Sequence, residues 1–335
     1  MNTLYDFTVR FISDIQPQVK SLAEQEQKLE NAKKSRDQNA RREAEQKIRD
    51  VHKELLGKSS NSIVYLYLTA TQEADGDAFR ASWQQDVLSH RDSPLQELKD
   101  WKLENFYKSI WERPKIDLDG LPAASWFLQF TFTLAKPYIS KDDNPFYIID
   151  NPIVRDKVFR LPMVRPTSWK GNLYSALWQM GYDKQGEAQL QRLFGDIRDE
   201  EQGRAGRLFF YPTFFTETGL EIINPHDRKR RVGKNPILFE CVPAGAKGTF
   251  SLLYVPFDLI GQNENEIRRQ SIEDLQLVAE AIRAMMLTYG FSAKRTSGYG
   301  VAEDDLIDGK VQTKAGQKPL TRLTNLPQEV KDVAF

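Results

Sequence analysis

The stretch Ser125–Leu134, SWFLQFTFTL, sets Trp126, Leu128, Phe130 and Phe132 on alternate positions, with Gln129, Thr131 and Thr133 between them. Period-two alternation of this kind is the pattern of a half-buried strand. Such a strand needs partners in a sheet and helices over its apolar face, and both are found by working outward from it.

Downstream lies Ile149–Leu177, IDNPIVRDKVFRLPMVRPTSWKGNLYSAL. It predicts a helix capped by Thr167 or Ser168, with Trp169, Leu173, Leu177 and Met180 on one face. A second helix follows near Ala188–Phe194, then a strand over Arg207–Tyr211 and a short strand over Leu220–Asn224. Pro236–Val242 is expected to pair with Gly248–Val255 across the turn PAGAKG. A long helix, Ser271–Tyr289, carries Ile272, Leu275, Val278, Ala279, Ile282 and Met286 on one side, and a last strand near Tyr299–Glu303 precedes a polar tail. Strand, helix, strand, hairpin, helix, strand is an α+β layout of the ferredoxin-like or RNA-recognition-motif kind.

Upstream, Glu112–Gly120 (ERPKIDLDG) reads as a linker punctuated by Pro114 and Gly120. Gln18–Leu56 is almost wholly polar with a narrow apolar stripe. It is either one long exposed helix or a hairpin broken near Lys33–Gln38. Helices are expected at Ser62–Thr71, Ala78–Leu88 and Pro94–Trp111. The expected division is a helical extension over 1–118, an RNA-recognition-motif-like domain over 119–310 and a polar tail over 311–335. Phe209, Phe210, Tyr211, Phe214 and Phe215 read as core residues of a strand and the turn after it.

The chain has 335 residues, 40% of them apolar, and equal numbers of cationic and anionic side chains, 47 of each, so net charge points to no partner. One cysteine, Cys241, and three scattered histidines exclude a disulfide framework and a Cys/His zinc site, and suit a reducing cytoplasm. No apolar run approaches the roughly 18 residues of a membrane span, so a cytoplasmic protein with no membrane partner is expected.

Charge is concentrated locally instead. Lys170 and Gly171 open the helix after Ser168, the first at the positive end of the helix dipole and the second costing about 1 kcal/mol relative to alanine. An anion docked there accounts for both, and a helix start with a solvated lysine is the plainer reading. Between Glu221 and Asn235 stand Arg228, Lys229, Arg230, Arg231 and Lys234, against Glu221 and Asp227. That segment is either a solvated loop or an arm that contacts phosphates. A third basic segment, SAKRTSGYG over Ser292–Gly300, combines Lys294 and Arg295 with Gly298 and Gly300.

The succession IDNPIVRDKVFRLPMVRPTSWKG, RLFGD, GRLFFYP, INPHDRKRRVGKNPILFECVPAGAKGTFSLLYV and SAKRTSGYG resembles the RAMP superfamily of CRISPR proteins, in particular the Cas-seven-type backbone subunits of type III effector complexes. The similarity runs from about Leu121 to Asp305, and the N-terminal 118 residues lie outside it as an addition.

The resemblance implies a modified RNA-recognition motif with a protruding thumb hairpin over Asn224–Pro236. It implies cytoplasmic subunits that stack in a filament-like complex with other CRISPR effector subunits along a guide RNA (crRNA). It sets Ser168, Lys170 and Gly171, and Lys294, Arg295, Gly298 and Gly300, against the guide backbone. Arg155 and Arg165 belong to the connector along the RNA, and His226 with Arg228, Lys229, Arg230 and Arg231 to the thumb, which wedges into the guide–target duplex.

The family's target-RNA cleavage residue falls on Asp150, within Asp150-Asn151-Pro152 followed by Arg155 and Asp156. Asp150 would hold a divalent metal, Mg2+ or Mn2+, or accept a proton from the 2′-hydroxyl. Asp142 and Asp143 are rival acids in the same loop. The alternative function is a non-catalytic, crRNA-binding structural subunit. A guide-processing nuclease would be expected to carry a histidine near the first helix, where this chain has none. Trp169 departs from the small, glycine-rich helix start of the family and puts the guide contact there in question.

Overall fold

The structure is a computed structural model that describes residues 7–59, 113–142, 151–157, 161–182, 187–196, 203–224 and 237–335. They fall into two compact units. The first comprises Met1–Trp101, Asp143–Pro152 and Gly219–Glu240, the second Lys102–Asp142, Ile153–Thr218 and Cys241–Phe335.

In the first unit, α1 (Phe7–Ser35) and α2 (Gln38–Ser59) form a helical hairpin. The break is built by Arg36, at φ 59°, and by Asp37, whose carboxylate accepts from the N–H groups of Asn39 and Ala40 as an N-cap. Gln18 donates to Glu54 at 2.6 Å, so positions 36 apart in sequence meet across the hairpin. Leu22, Ala32 and Ala44 are buried between the arms. The expected helices between 62 and 111 lie outside the described residues.

The second unit is organised on β1 (Trp126–Thr133). Trp126, Leu128, Phe130 and Phe132 point into the main core, as their spacing requires. The other face of β1 is covered as well. Gln129 donates to Ser251 at 3.0 Å and to the Pro114 carbonyl at 3.1 Å, and Phe127 packs with Leu118, Leu253 and Val255. The segment expected as a linker is therefore a cover. Ile116, Leu118 and Leu121 lie on the back of the sheet, and Arg113 pairs with Asp308 at 3.0 Å.

Further along the chain come β2 (Tyr138–Ile139), β3 (Met163–Val164), α3 (Pro166–Gln179), α4 (Glu187–Phe194), β4 (Gly195–Asp196), β5 (Arg204–Ala205), β6 (Leu208–Phe210) and β7 (Thr213–Phe214). They are followed by β8 (Gly219–Ile223), β9 (Ile237–Val242), β10 (Lys247–Tyr254), α5 (Glu264–Ala284), β11 (Asp305–Thr313), β12 (Gly316–Arg322) and α6 (Leu326–Glu329). The main sheet has the order β12-β11-β1-β10-β6, antiparallel throughout. β1 and β6 flank β10 and are joined through α3, while β10 and β11 flank β1 and are joined through α5. Two interleaved split βαβ units are the ferredoxin-like arrangement, as expected. Trp169, Leu173, Ala176 and Leu177 of α3, and Leu275, Val278, Ala279 and Ile282 of α5, close the core over the sheet.

Four expectations are corrected. β9 and β10 do not form a hairpin: both edges of β10 are taken by β1 and β6, and β9 pairs instead with β2, Tyr138 opposite Val242 and Ile139 opposite Cys241. The strand expected near Tyr299–Glu303 begins only at Asp305, as β11, and a single bridge joins Ala302 to Leu134 before it. The segment 311–335, expected as a polar tail, completes β11 and adds β12 and α6, with Val311, Leu320, Leu323, Leu326 and Val330 buried in the main core. α5 begins at Glu264, capped by the Asn263 side chain, and Ile272 points outward.

A buried ionic cluster ties α4, β6, β10 and α5 together. Asp274, fully buried, accepts from Arg192 (2.6 Å), Arg207 (3.2 Å), Gln189 (3.0 Å) and the Tyr254 hydroxyl (2.9 Å). Arg207 also forms a fork to Asp258. Burial and the Asp274 carboxylate push the Tyr254 phenol well above its ordinary range, so it stays a donor.

Candidate nucleic-acid interface

The start of α3 is set by proline. Arg165, at φ −67° and ψ 149°, is the cap, Pro166 is the first helical residue, and no side chain caps the turn. The cap thus falls two or three residues before the expected Thr167 or Ser168. Trp169, the departure from the family pattern, turns inward: its indole N–H donates to Thr213 Oγ1 at 3.1 Å, and its ring meets Phe250 and Phe291 at 4.9 and 4.7 Å. With the bulk inside, the outer line of α3 carries only small and polar residues, Ser168, Gly171, Asn172 and Ser175, at positions i, i+3, i+4 and i+7.

The glycine-rich loop is held against this line. α5 ends in a π turn over Met285–Tyr289, after which Gly290 reverses the chain. Phe291 N–H donates to the Gly300 carbonyl, Gly300 N–H to Pro137, and Ala293 N–H to Ile139; Ser292 Oγ bonds both the N–H and the carbonyl of Ile139. Gly300 has φ 69°, and a Cβ there would lie 2.3 Å from that of Ser292, so the closure requires glycine. Asn172 Nδ2 then donates to the Phe291 carbonyl at 3.2 Å and Arg295 to Ser175 Oγ at 3.2 Å, fastening loop to helix. Under the loop, burial pushes the Tyr138 phenol up to about 12, and its ring stacks on Phe291 and Phe215.

The small, polar line of α3 and the basic glycine loop, more than a hundred residues apart in sequence, are therefore one surface. Lys294 is exposed, in the left-handed region at φ 58°, a conformation that costs a lysine about 1–2 kcal/mol. Arg295 is half-buried at the junction, and Gly298 is exposed. Ser168 and Gly171 lie on the shared line, and nothing stands within 4 Å of a Cβ built on Gly171. Arg165 is exposed at the helix cap.

Two candidates sit elsewhere. Lys170 is two residues past Ser168, about 200° round the helix and away from the loop. Arg155, expected along the RNA, is 4% exposed and belongs to the interior. Asn172 and Ser175 escaped the sequence reading, although their four- and seven-residue spacing from Ser168 carried the signal.

Asp150, Asp143, His226, Arg228, Lys229, Arg230 and Arg231 lie outside the described residues. The neighbours of Asp150 are fixed. Asn151 donates to the Leu238 carbonyl at 3.1 Å and accepts from Glu240 N–H at 3.0 Å, and Val154 N–H donates to Ser140 Oγ at 2.9 Å. Among the described residues, no three His, Cys, Asp or Glu side chains come together as a metal site, and no helix is long and apolar enough to cross a membrane.

A ferredoxin-like sheet with a helix start and a glycine loop fastened together is the architecture on which comparison with known proteins bears. The family model of the RAMP superfamily matches residues 74–303, more than half of the chain. The chain belongs to the RAMP superfamily. Similar curated proteins are the CRISPR system Cms endoribonucleases Csm3 of Mycobacterium tuberculosis (strain ATCC 25618 / H37Rv) and of Streptococcus thermophilus. They are 32% and 26% identical to it, and each match covers 45% of this chain and 73% of the relative. Among solved structures, a chain of the cryo-EM structure of the Type III-B Cmr-beta bound to cognate target RNA is similar with a TM-score of 0.48 and 16% identity. That match covers 77% of this chain and 95% of the other. The RAMP match begins at residue 74, well before Leu121, so the N-terminal 118 residues do not all lie outside the family.

Proposed function

We propose that this RAMP chain is a backbone subunit of a type III CRISPR effector complex. In this reading it carries guide RNA (crRNA) on the surface shared by α3 and the glycine loop, and cuts the paired target RNA at Asp150. The observation that supports the RNA surface best is the fastening of Arg295 to Ser175 and of Phe291 to Asn172, which lines a cation, half-buried small polar residues and an open glycine along one path. Phosphate backbones are held by such groups, through cations, hydroxyls and backbone N–H donors. The curated relatives' name, endoribonuclease, supports the chemistry.

RNA carries its own nucleophile. Asp150 accepts the proton of a 2′-hydroxyl whose oxygen attacks the adjacent phosphorus in line with the leaving 5′-oxygen. The P–O5′ bond breaks and the leaving oxygen takes a proton from water, leaving a 2′,3′-cyclic phosphate and a 5′-hydroxyl. Most of the acceleration in such a step comes from holding one nucleotide unstacked in that geometry, which contributes several kcal/mol. Mg2+ or Mn2+, when bound, supplies charge neutralisation at the phosphate. A single carboxylate suits Mg2+, which keeps several waters and is commonly held by one or two carboxylates together with phosphate oxygens. The thumb residues His226, Arg228, Lys229, Arg230 and Arg231 hold the duplex at the cut.

The test is the assembled complex carrying Asp150→Ala. It should bind target RNA as before and lose cleavage at the position this subunit serves, and a target with a single 2′-deoxynucleotide there should also resist. Cutting that survives both changes makes the chain a structural crRNA-binding subunit without chemistry.

A further inference from the structure

The outer surface of α3 has a second half that the phosphate path does not use. Tyr174 and Trp178, one turn apart, are 47% and 57% exposed, whereas Trp126 and Trp169 are wholly buried. The Tyr174 ring is set by an edge-on contact with Phe194 at 5.2 Å and 86°. Aromatic area of this size left in water marks a surface that something flat and apolar covers.

What covers it is decided by what borders it. Gly171 is three residues before Tyr174 and seven before Trp178, so the rings flank the open notch on one side while Ser168, Ser175 and Arg295 flank it on the other. Lys170 stands one turn before Tyr174 on the same stripe. The apolar face of a protein partner would have to desolvate the Lys170 and Arg295 cations at its own border, which is costly for a charge with no counter-charge. A nucleotide suits both halves, because its phosphate meets the small and cationic groups and its base presents a flat π-face to the rings. The glycine costs the helix about 1 kcal/mol and, among the described residues, no side chain uses the space it leaves, which fits a sugar–phosphate seated there with its base turned toward Tyr174.

We propose that Tyr174 and Trp178 form a stacking platform for unpaired nucleobases of the RNA whose backbone runs along Ser168, Gly171 and Ser175. The proposal rests on the RNA-binding reading above and adds to it a base-contacting site without sequence preference, since every base has a π-face.

The test uses the full chain and two labelled probes of about twelve nucleotides, an oligouridylate and an abasic ribose–phosphate of the same length, a span within the usual range of single-strand sites. Wild type should bind the oligouridylate at least about five-fold more tightly than the abasic probe. Trp178→Ala and Tyr174→Ala should each reduce that preference and leave abasic binding unchanged, and Trp178→Phe should restore it. The oligouridylate, and not the abasic probe, should quench a fluorescence component that Trp178→Phe lacks. Trp178→Phe keeps a ring at the site, so its thermal unfolding should stay close to that of wild type.

Equal wild-type affinity for the two probes, or equal loss of both in the alanine variants, overturns the platform while leaving the phosphate surface standing. No binding of either probe removes the RNA reading and the platform with it. If the alanine variants bind both probes normally and instead lose a protein subunit from the assembled complex, the rings are a protein-docking surface and the proposal is wrong.

Discussion

Gly171→Ala separates stability from function, because the two should move in opposite directions. Gly171 lies inside α3, and nothing stands within 4 Å of an added Cβ. Alanine there meets no steric cost and recovers about 0.8–1 kcal/mol of helix propensity. For a unit of roughly 200 residues that amounts to a rise of about 2–4 °C in the midpoint of thermal unfolding. A phosphate seated over the notch would be displaced by the methyl group and lose a charge-assisted hydrogen bond from the Ser168 or Ser175 hydroxyl, about 1.5–3 kcal/mol or roughly tenfold to a hundredfold in affinity. Gly171→Leu should fill the notch and weaken binding further. Thermal unfolding by circular dichroism and RNA binding by fluorescence anisotropy at one fixed salt concentration measure the two quantities. A lower midpoint for Gly171→Ala would mean the space is not open. Unchanged RNA affinity for Gly171→Leu would mean nothing docks there.

Other expectations follow from single contacts. Arg295→Ala should weaken RNA binding about equally across sequences and lower the slope of log affinity against log salt by about 1, measured by titration at several salt concentrations. Asp274→Ala leaves Arg207 buried with one of its two carboxylates gone and should cost about 3–5 kcal/mol in urea unfolding, with Asp274→Asn costing less. The Asp304 carboxyl is held below the usual carboxylate range by the hydroxyl and N–H of Thr324, both at 2.7 Å, and by Arg322. A depressed folded-state value stabilises above the unfolded one and loses that contribution as pH falls through the folded one. Asp304→Asn should therefore cost about 1 kcal/mol near pH 7 and progressively less as pH falls below the ordinary carboxylate range, in urea titrations at several pH values.

The fold was legible where a pattern had one cause. β1 alternates because one face meets the helices, and α3 shows its buried stripe because only that stripe is covered. It was hidden where burial came from elsewhere in the chain. β12, GQKPLTR, has a single buried residue, Leu320, and reads as polar because it sits at the sheet's edge. β9 looked like a hairpin partner of β10 because adjacency in sequence cannot reveal that both edges of β10 are already occupied. The first residues of α5 are charged and stand in water, so no apolar period announces them.

For the candidate interface, local chemistry picked out the glycine loop and the helix start separately. Only the fold joins them, through the Asn172 and Arg295 contacts. Arg155 illustrates the converse, since a cation in a basic connector reads as exposed until packing buries it.

In the proposed function, RNA runs along one surface made by α3 and the glycine loop. Ultraviolet crosslinking of the full chain purified with its RNA, with crosslinked peptides identified by mass spectrometry, tests it directly. Adducts are expected within Pro166–Gln179 and Gly290–Gly300 together, lost in parallel when Arg295 is replaced by alanine. Adducts confined to other segments, with neither of these two represented, would contradict it.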